Sequence, residues 1–215
     1  MNVIIAMVVF VVSHVLIART AIKPMIIARF GERTYLAAYS VLSIALLVWV
    51  IVALIEAERI ALWTPPDWAY TFAFFATFLA FLLIGIGSLV PNPLSVALKS
   101  QGFDPDNPGI IGWIRHPMIW GLTLWGLAHI PANGDFPSIV LFAGSALFGL
   151  IGTVTVEKRK KRLLGEDEWQ RLIAGRGHVD RTSVLGVALG IGLWVAFLLL
   201  HPYLFGVNPL AVLLG

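Results

Sequence analysis

Six nearly unbroken apolar stretches divide the 215-residue chain. They run from about Val3 to Ala18, Tyr35 to Ile55, Ala69 to Val90, His116 to Ile130, Pro137 to Val156 and Ser183 to Leu200. An α-helix needs roughly 20 apolar residues to cross the hydrocarbon core of a bilayer. The pattern therefore predicts an all-α bundle of about six transmembrane spans, in which the fourth is the weakest. The length suits one domain over 1–215 rather than two. An apolar tail from Pro202 to Gly215 is too short to span and is expected at the interface.

The polar stretches set the topology. The loop after the first span carries Arg19, Lys23, Arg29 and Arg33, and the loop after the third carries Lys99 and Arg115. The loop after the fifth holds Lys158, Arg159, Lys160, Lys161, Arg162, Arg171, Arg176 and Arg181, which leaves Arg59 as the one basic residue of the other loops. The positive-inside rule then places loops one, three and five in the cytoplasm and both termini outside. The first stretch does not read as a cleavable signal peptide, because Met1-Asn2 lacks a basic residue and Arg19 and Lys23 follow the apolar run.

Small residues mark where helices can touch. Ser145, Gly149 and Thr153 recur every four residues, and Gly186 and Gly190 form a GxxxG pair; such spacing lets backbones approach closely. Glu157 to Ile173 reads as one basic amphipathic helix, either laid on anionic lipid or covering a cofactor site.

Composition agrees. Hydrophobic residues make up 59% and charged residues 13%, against about 25% charged in soluble domains. The lipid bilayer is the partner this implies; nothing points to nucleic acid. With no cysteine, disulfides, thiolate ligands and a cysteine nucleophile are excluded. A metal or haem must be held by nitrogen, oxygen or methionine sulfur.

Ionisable groups within a membrane are expensive and are candidates for function. His14 lies in the first span, His116 opens the fourth as Arg115-His116-Pro117, and His129 closes it. Each can also be a neutral ring bonded to a neighbouring helix or sitting at a helix end. His178 and His201 fall where water can satisfy them. Tyr35, Tyr39 and Ser43 share a helix face beside Ser40, and line a polar cavity or bond a neighbouring helix. Asn92, between Pro91 and Pro93, marks a tight break, and Asn133-Gly134 is a turn signal. Phosphate-loop and nucleophile-elbow motifs are absent.

In this order, Ser13-His14 with Arg19, Gly31-Glu32-Arg33-x-Tyr35 with Tyr39-Ser40, Trp49, Asn92-Pro93, Arg115-His116-Pro117, Trp125-x3-His129 and Asn133-Gly134-Asp135 make the chain resemble the NnrU-like membrane proteins. That resemblance implies a multi-pass protein of the bacterial inner membrane linked to denitrification and nitric oxide metabolism. Plant relatives are 15-cis-zeta-carotene isomerases with a histidine-ligated haem b. By position, His14, His116 and His129 match the family's recurring histidines. Two axial ligands must lie at similar depth. His129 stands 13 residues beyond His116, roughly 20 Å along a continuous helix, so those two cannot share one iron. Depth favours His14 with His116, whereas the plant relatives point to His14 with His129; the pair stays open.

A second, more remote similarity is to isoprenylcysteine and phospholipid methyltransferases. Gly109-x5-Arg115-His116-Pro117-x3-Gly121 looks like their first motif, and Glu157-x6-Leu164-Gly165-x2-Glu168-Trp169 like their second. In those enzymes both bind S-adenosylmethionine; here Arg115 would take a carboxylate and Glu157 a ribose. Ile119 and Ile111 depart from the aromatic residues usual there. The leading expectation is a haem-dependent redox or cis-trans isomerase-like protein acting on a hydrophobic small molecule. The alternatives are a membrane methyltransferase and a non-catalytic accessory or transport protein.

Overall fold

The computed structural model describes residues 2–20 and 22–214; the side chains of Ala18, Arg19 and Leu214 and the tail residue Gly215 lie outside the described residues. The chain is α-helical: α1 (Asn2–Arg19), α2 (Ile22–Phe30), α3 (Glu32–Ile55), α4 (Asp67–Leu89), α5 (Pro117–Ala132), α6 (Phe136–Leu164), α7 (Glu166–Ile173), α8 (Arg181–Phe205) and α9 (Pro209–Leu214), with a 3-10 turn over Gly109–Gly112. Each of the six apolar stretches is a helix. Four of these helices, α3, α4, α6 and α8, are long and apolar enough to cross a membrane; α1 and α2, bent by 67° at their break, make a fifth if taken as one broken span. α5 has 16 residues, about 24 Å at 1.5 Å per residue. It begins after His116, with Pro117 at its first position. Large apolar side chains stand exposed along the long helices, among them Val41, Ile44, Phe75, Leu147, Ile151 and Leu199. Exposure on this scale suits hydrocarbon and would be costly in water.

The helices fall into two compact units, Met1–Thr64 with Gly134–Gly144, and Pro65–Asn133 with Ser145–Gly215. In the first, α1 and α2 pack on α3, and Gly144 admits Met7 against its backbone. The loop after α3 is tied by Leu62 N–H to Gly134 O and Phe136 N–H to Ile60 O. Arg59 Nη1 donates to Asp135 Oδ2 at 2.8 Å.

In the second unit α4 is the central helix, with α5 and α8 against it. The GxxxG pair lies directly on α4: a methyl on Gly186 would stand 2.6 Å from Ile86 Cα, and one on Gly85 would overlap the Gly186 and Gly190 backbones. Gly149 of the other small-residue series faces Thr123 of α5. The buried core joins Ile86, Val90, Leu94, Ile111, Trp169 and Leu172.

The single helix expected over 157–173 is two. α6 continues to Leu164, and Gly165, at φ +81, turns the chain into α7. Glycine adopts that conformation without a Cβ penalty. The apolar face of α7 is occupied by the protein core, through Trp169 and Leu172, rather than by lipid. α8 starts on an Asp180 cap that accepts from Ser183 N–H at 2.8 Å and ends at Gly206 in the left-handed conformation. The apolar tail from Pro202 first continues α8 to Phe205 and then forms α9, which packs on α4 and α8.

Candidate functional site

The histidines singled out by the sequence occupy two kinds of environment. His14, on α1 in the first unit, donates from Nδ1 to Phe10 O at 2.7 Å, with Ser13 Oγ 3.4 Å from the same nitrogen. A carbonyl can only accept, so Nδ1 carries a proton. Phe10 lies against the ring at 4.3 Å between centroids, and Tyr39 of α3 meets it edge-on at 5.5 Å. Tyr35 stacks on Tyr39, and Lys23 sits over the Tyr35 ring. Ser43 bonds back to Tyr39 O within its own helix.

His129, on α5 in the second unit, repeats the local geometry. Its Nδ1 donates to Trp125 O at 2.8 Å, and the Trp125 ring lies 5.2 Å from its own. Asn133 Nδ2 donates to His129 O at 2.8 Å and closes the helix end. The one-turn back-bond follows from helix geometry, because a residue four positions back presents its carbonyl below the ring.

His116 differs. It is 2% exposed and stands just before α5, with both ring nitrogens engaged. Nδ1 is 2.7 Å from Ser95 Oγ, and Nε2 is 3.2 Å from Glu157 Oε2 on α6. Arg115 Nη2 reaches the same carboxylate oxygen at 3.4 Å. Burial lowers the His116 pKa below the ordinary value; the bond to Glu157 and its charge oppose that without reversing it. The ring is therefore neutral at pH 7. Its one consistent proton arrangement has Nε2–H donating to Glu157 and Ser95 O–H donating to Nδ1.

The loop after α4 holds this cluster in place. Asn92, 1% exposed, donates from Nδ2 to Arg115 O at 2.8 Å and accepts from Leu94 N–H at 3.0 Å. Its own N–H donates to Lys99 O. The Asn92-Pro93 break is thus the brace of the Arg115-His116 segment. Ser95 escaped sequence reading, because nothing local links a serine in a loop to a histidine 21 residues on.

Arg115, His116 and Glu157 gather, whereas the rest of the methyltransferase-like pattern has other employment. Gly121 is needed for packing, since a methyl there would lie 2.7 Å from Ala80 O of α4. Glu168 is held by Arg171 in two bonds of 2.7 Å, and Trp169 is core. His178 enters through its backbone, donating to Gly109 O, and His201 Nδ1 donates to Val207 O.

Among the described residues no three His, Cys, Asp or Glu side chains converge as a metal site. A porphyrin brings four nitrogens of its own and asks the protein for one or two axial donors. An imidazole is the donor type such a site asks for, and at His14 and His129 a backbone carbonyl bonded to Nδ1 fixes the ring's orientation. His116 would have to give up Ser95 or Glu157 first.

A family model described as NnrU protein matches residues 2–209, nearly the whole chain. No curated protein matches the chain, and no solved structure does.

Proposed function

Since the chain belongs to the NnrU protein family, we propose that it is a haem-binding, multi-pass protein of the bacterial inner membrane. Its chemistry is redox or cis-trans isomerisation on a hydrophobic small molecule, linked to nitric oxide metabolism in denitrification or to carotenoids. The observation that carries this reading is the shared bonding of His14 and His129, whose Nδ1 protons go to Phe10 O and Trp125 O. These bonds hold each ring in one orientation with a proton on Nδ1. Haem b, when bound, supplies an iron able to take up nitric oxide or activate a polyene. The chain's part is to fix the imidazoles and to pack each with its own aromatic neighbours, Phe10 and Tyr39 at His14 and Trp125 at His129. The basic loops lie in the cytoplasm and both termini outside.

The test is an absorption spectrum of the detergent-purified protein expressed with supplied haem. A Soret band is expected, diminished or shifted in His14→Ala and in His129→Ala and retained in His116→Ala. Absence of any band in the wild-type protein sinks the proposal.

The convergence of Arg115, His116 and Glu157 favours a second reading, binding of S-adenosylmethionine for methyl transfer. Calorimetry with that ligand would then give heat that Glu157→Ala abolishes. A protein silent in both assays is an accessory or transport component.

A further inference from the structure

From the geometry around His116 we propose that Ser95, His116 and Glu157 form a catalytic triad for acyl transfer, with Ser95 Oγ as nucleophile toward carboxylic esters that dissolve in the bilayer.

Nucleophilic serine chemistry asks for three things: a hydroxyl in hydrogen-bond contact with a base, a third group that orients the base, and donors for the developing oxyanion. Ser95 Oγ lies 2.7 Å from His116 Nδ1, and Glu157 Oε2 lies 3.2 Å from Nε2 on the far side of the ring. The imidazole is thus bonded at one nitrogen to a hydroxyl and at the other to a carboxylate, the constellation that recurs on unrelated folds. Here the hydroxyl takes Nδ1 and the carboxylate Nε2; the two nitrogens are chemically equivalent for this purpose. His116 is neutral at pH 7, as a base must be. Arg115 Nη2 reaches the same carboxylate oxygen at 3.4 Å, and the Glu157 carboxylate would stabilise the ring once it is protonated. The Ser95 N–H closes the turn from Asn92, whereas the Val96 N–H makes no hydrogen bond among the described residues and would be the donor to an oxyanion on this loop. Val96 and Leu98, on the same loop, are 53% and 68% exposed, an apolar approach that suits an ester carried in hydrocarbon.

The step balances with water as co-reactant. Ser95 Oγ bonds to the ester carbonyl carbon while its proton passes to His116 Nδ1. The carbon–alkoxy bond breaks, and the alcohol leaves with that proton. Water then cleaves the acyl-serine, again through Nδ1, and the acid is released. Glu157 acts as a positioning residue that holds Nε2–H throughout. Ser95 is 4% exposed, so slow labelling is expected.

The experiment uses the full chain in detergent, incubated with a fluorophosphonate probe and read by peptide mass spectrometry. Ser183 is the internal control, likewise buried, at 1% exposed, and bonded to a carboxylate without an imidazole. The expected result is an adduct on Ser95 forming at least tenfold faster than on Ser183. It is lost in Ser95→Ala and slowed at least tenfold in His116→Gln. The charged groups acting on the ring are Glu157 of α6 and Arg115. Glu157 opposes the lowering of the His116 pKa, so Glu157→Gln shifts the pH midpoint of labelling downward, a change that a structural role alone would not produce. Ser95→Ala removes one oxygen, and its elution profile in size exclusion serves as the folding control. Overnight labelling of Ser95 no faster than of Ser183, or undiminished in His116→Gln, overturns the proposal. Neither result depends on haem.

Discussion

At the scale of single residues, the side chains that hold this protein's loops are small, buried and polar. Asn92 makes two side-chain bonds while almost wholly buried. Asn92→Ala leaves Arg115 O and Leu94 N–H without partners, and unsatisfied buried groups cost about 1–3 kcal/mol each. A drop in thermal midpoint in detergent is expected, together with weaker bonding of His116. Asp180 caps α8, and Asp180→Ala should cost about 1 kcal/mol. The penalty depends on pH. Burial raises the Asp180 pKa, but the bonds from Ser183 outweigh it and leave the carboxyl below its ordinary value. A carboxylate depressed in the folded state contributes stability above its unfolded pKa and loses it as pH falls. Wild type and variant should therefore differ fully at pH 7 and converge in acid, as pH-resolved melts would show. Of these residues, Asn92 was legible as a break and His116 as a polar group beside a helix start. Ser95 was not, because its role depends on a contact across 21 positions that no local pattern encodes.

At the scale of elements, apolar length and small-residue spacing carried most of the information. All six apolar stretches are helices, and Gly186 and Gly190 face a neighbour as their spacing implied. Gly190→Ala should be destabilising by about 1–3 kcal/mol through overpacking, since its methyl would enter the Phe81–Leu82 backbone. Gly192, two positions on, has nothing within 4 Å; Gly192→Ala should be neutral or stabilising by helix propensity. Thermal melts of the pair separate packing from propensity. What hydropathy missed were the polar-flanked helices. α2 hides among Lys23, Pro24 and Arg29, and the Gly165 break splits a stretch whose charge and periodicity are continuous. Both are decided by a backbone turn rather than by solvent preference.

At the scale of the whole molecule, the sequence conveys the solvent more readily than the reaction. Hydrocarbon admits few charges, so composition and basic loops declare a membrane protein. Reporter fusions should find residues 157–182 on the side opposite the N-terminus; finding both on one side would overturn that topology. Histidine chemistry is written less plainly, because three similar residues in the sequence fall into two different bonding patterns that only the fold distinguishes.

The shortness of α5 bears on how a molecule would arrive. At about 24 Å it falls short of a hydrocarbon layer of roughly 30 Å, while its packing neighbours α4 and α8 have 23 and 25 residues. A bilayer meeting such a stub would thin or dimple beside it, drawing water and headgroups inward at its two ends. Those ends are where His116 and His129 reside. A greasy solute diffusing sideways through one leaflet would meet wet chemistry there without first leaving the oil.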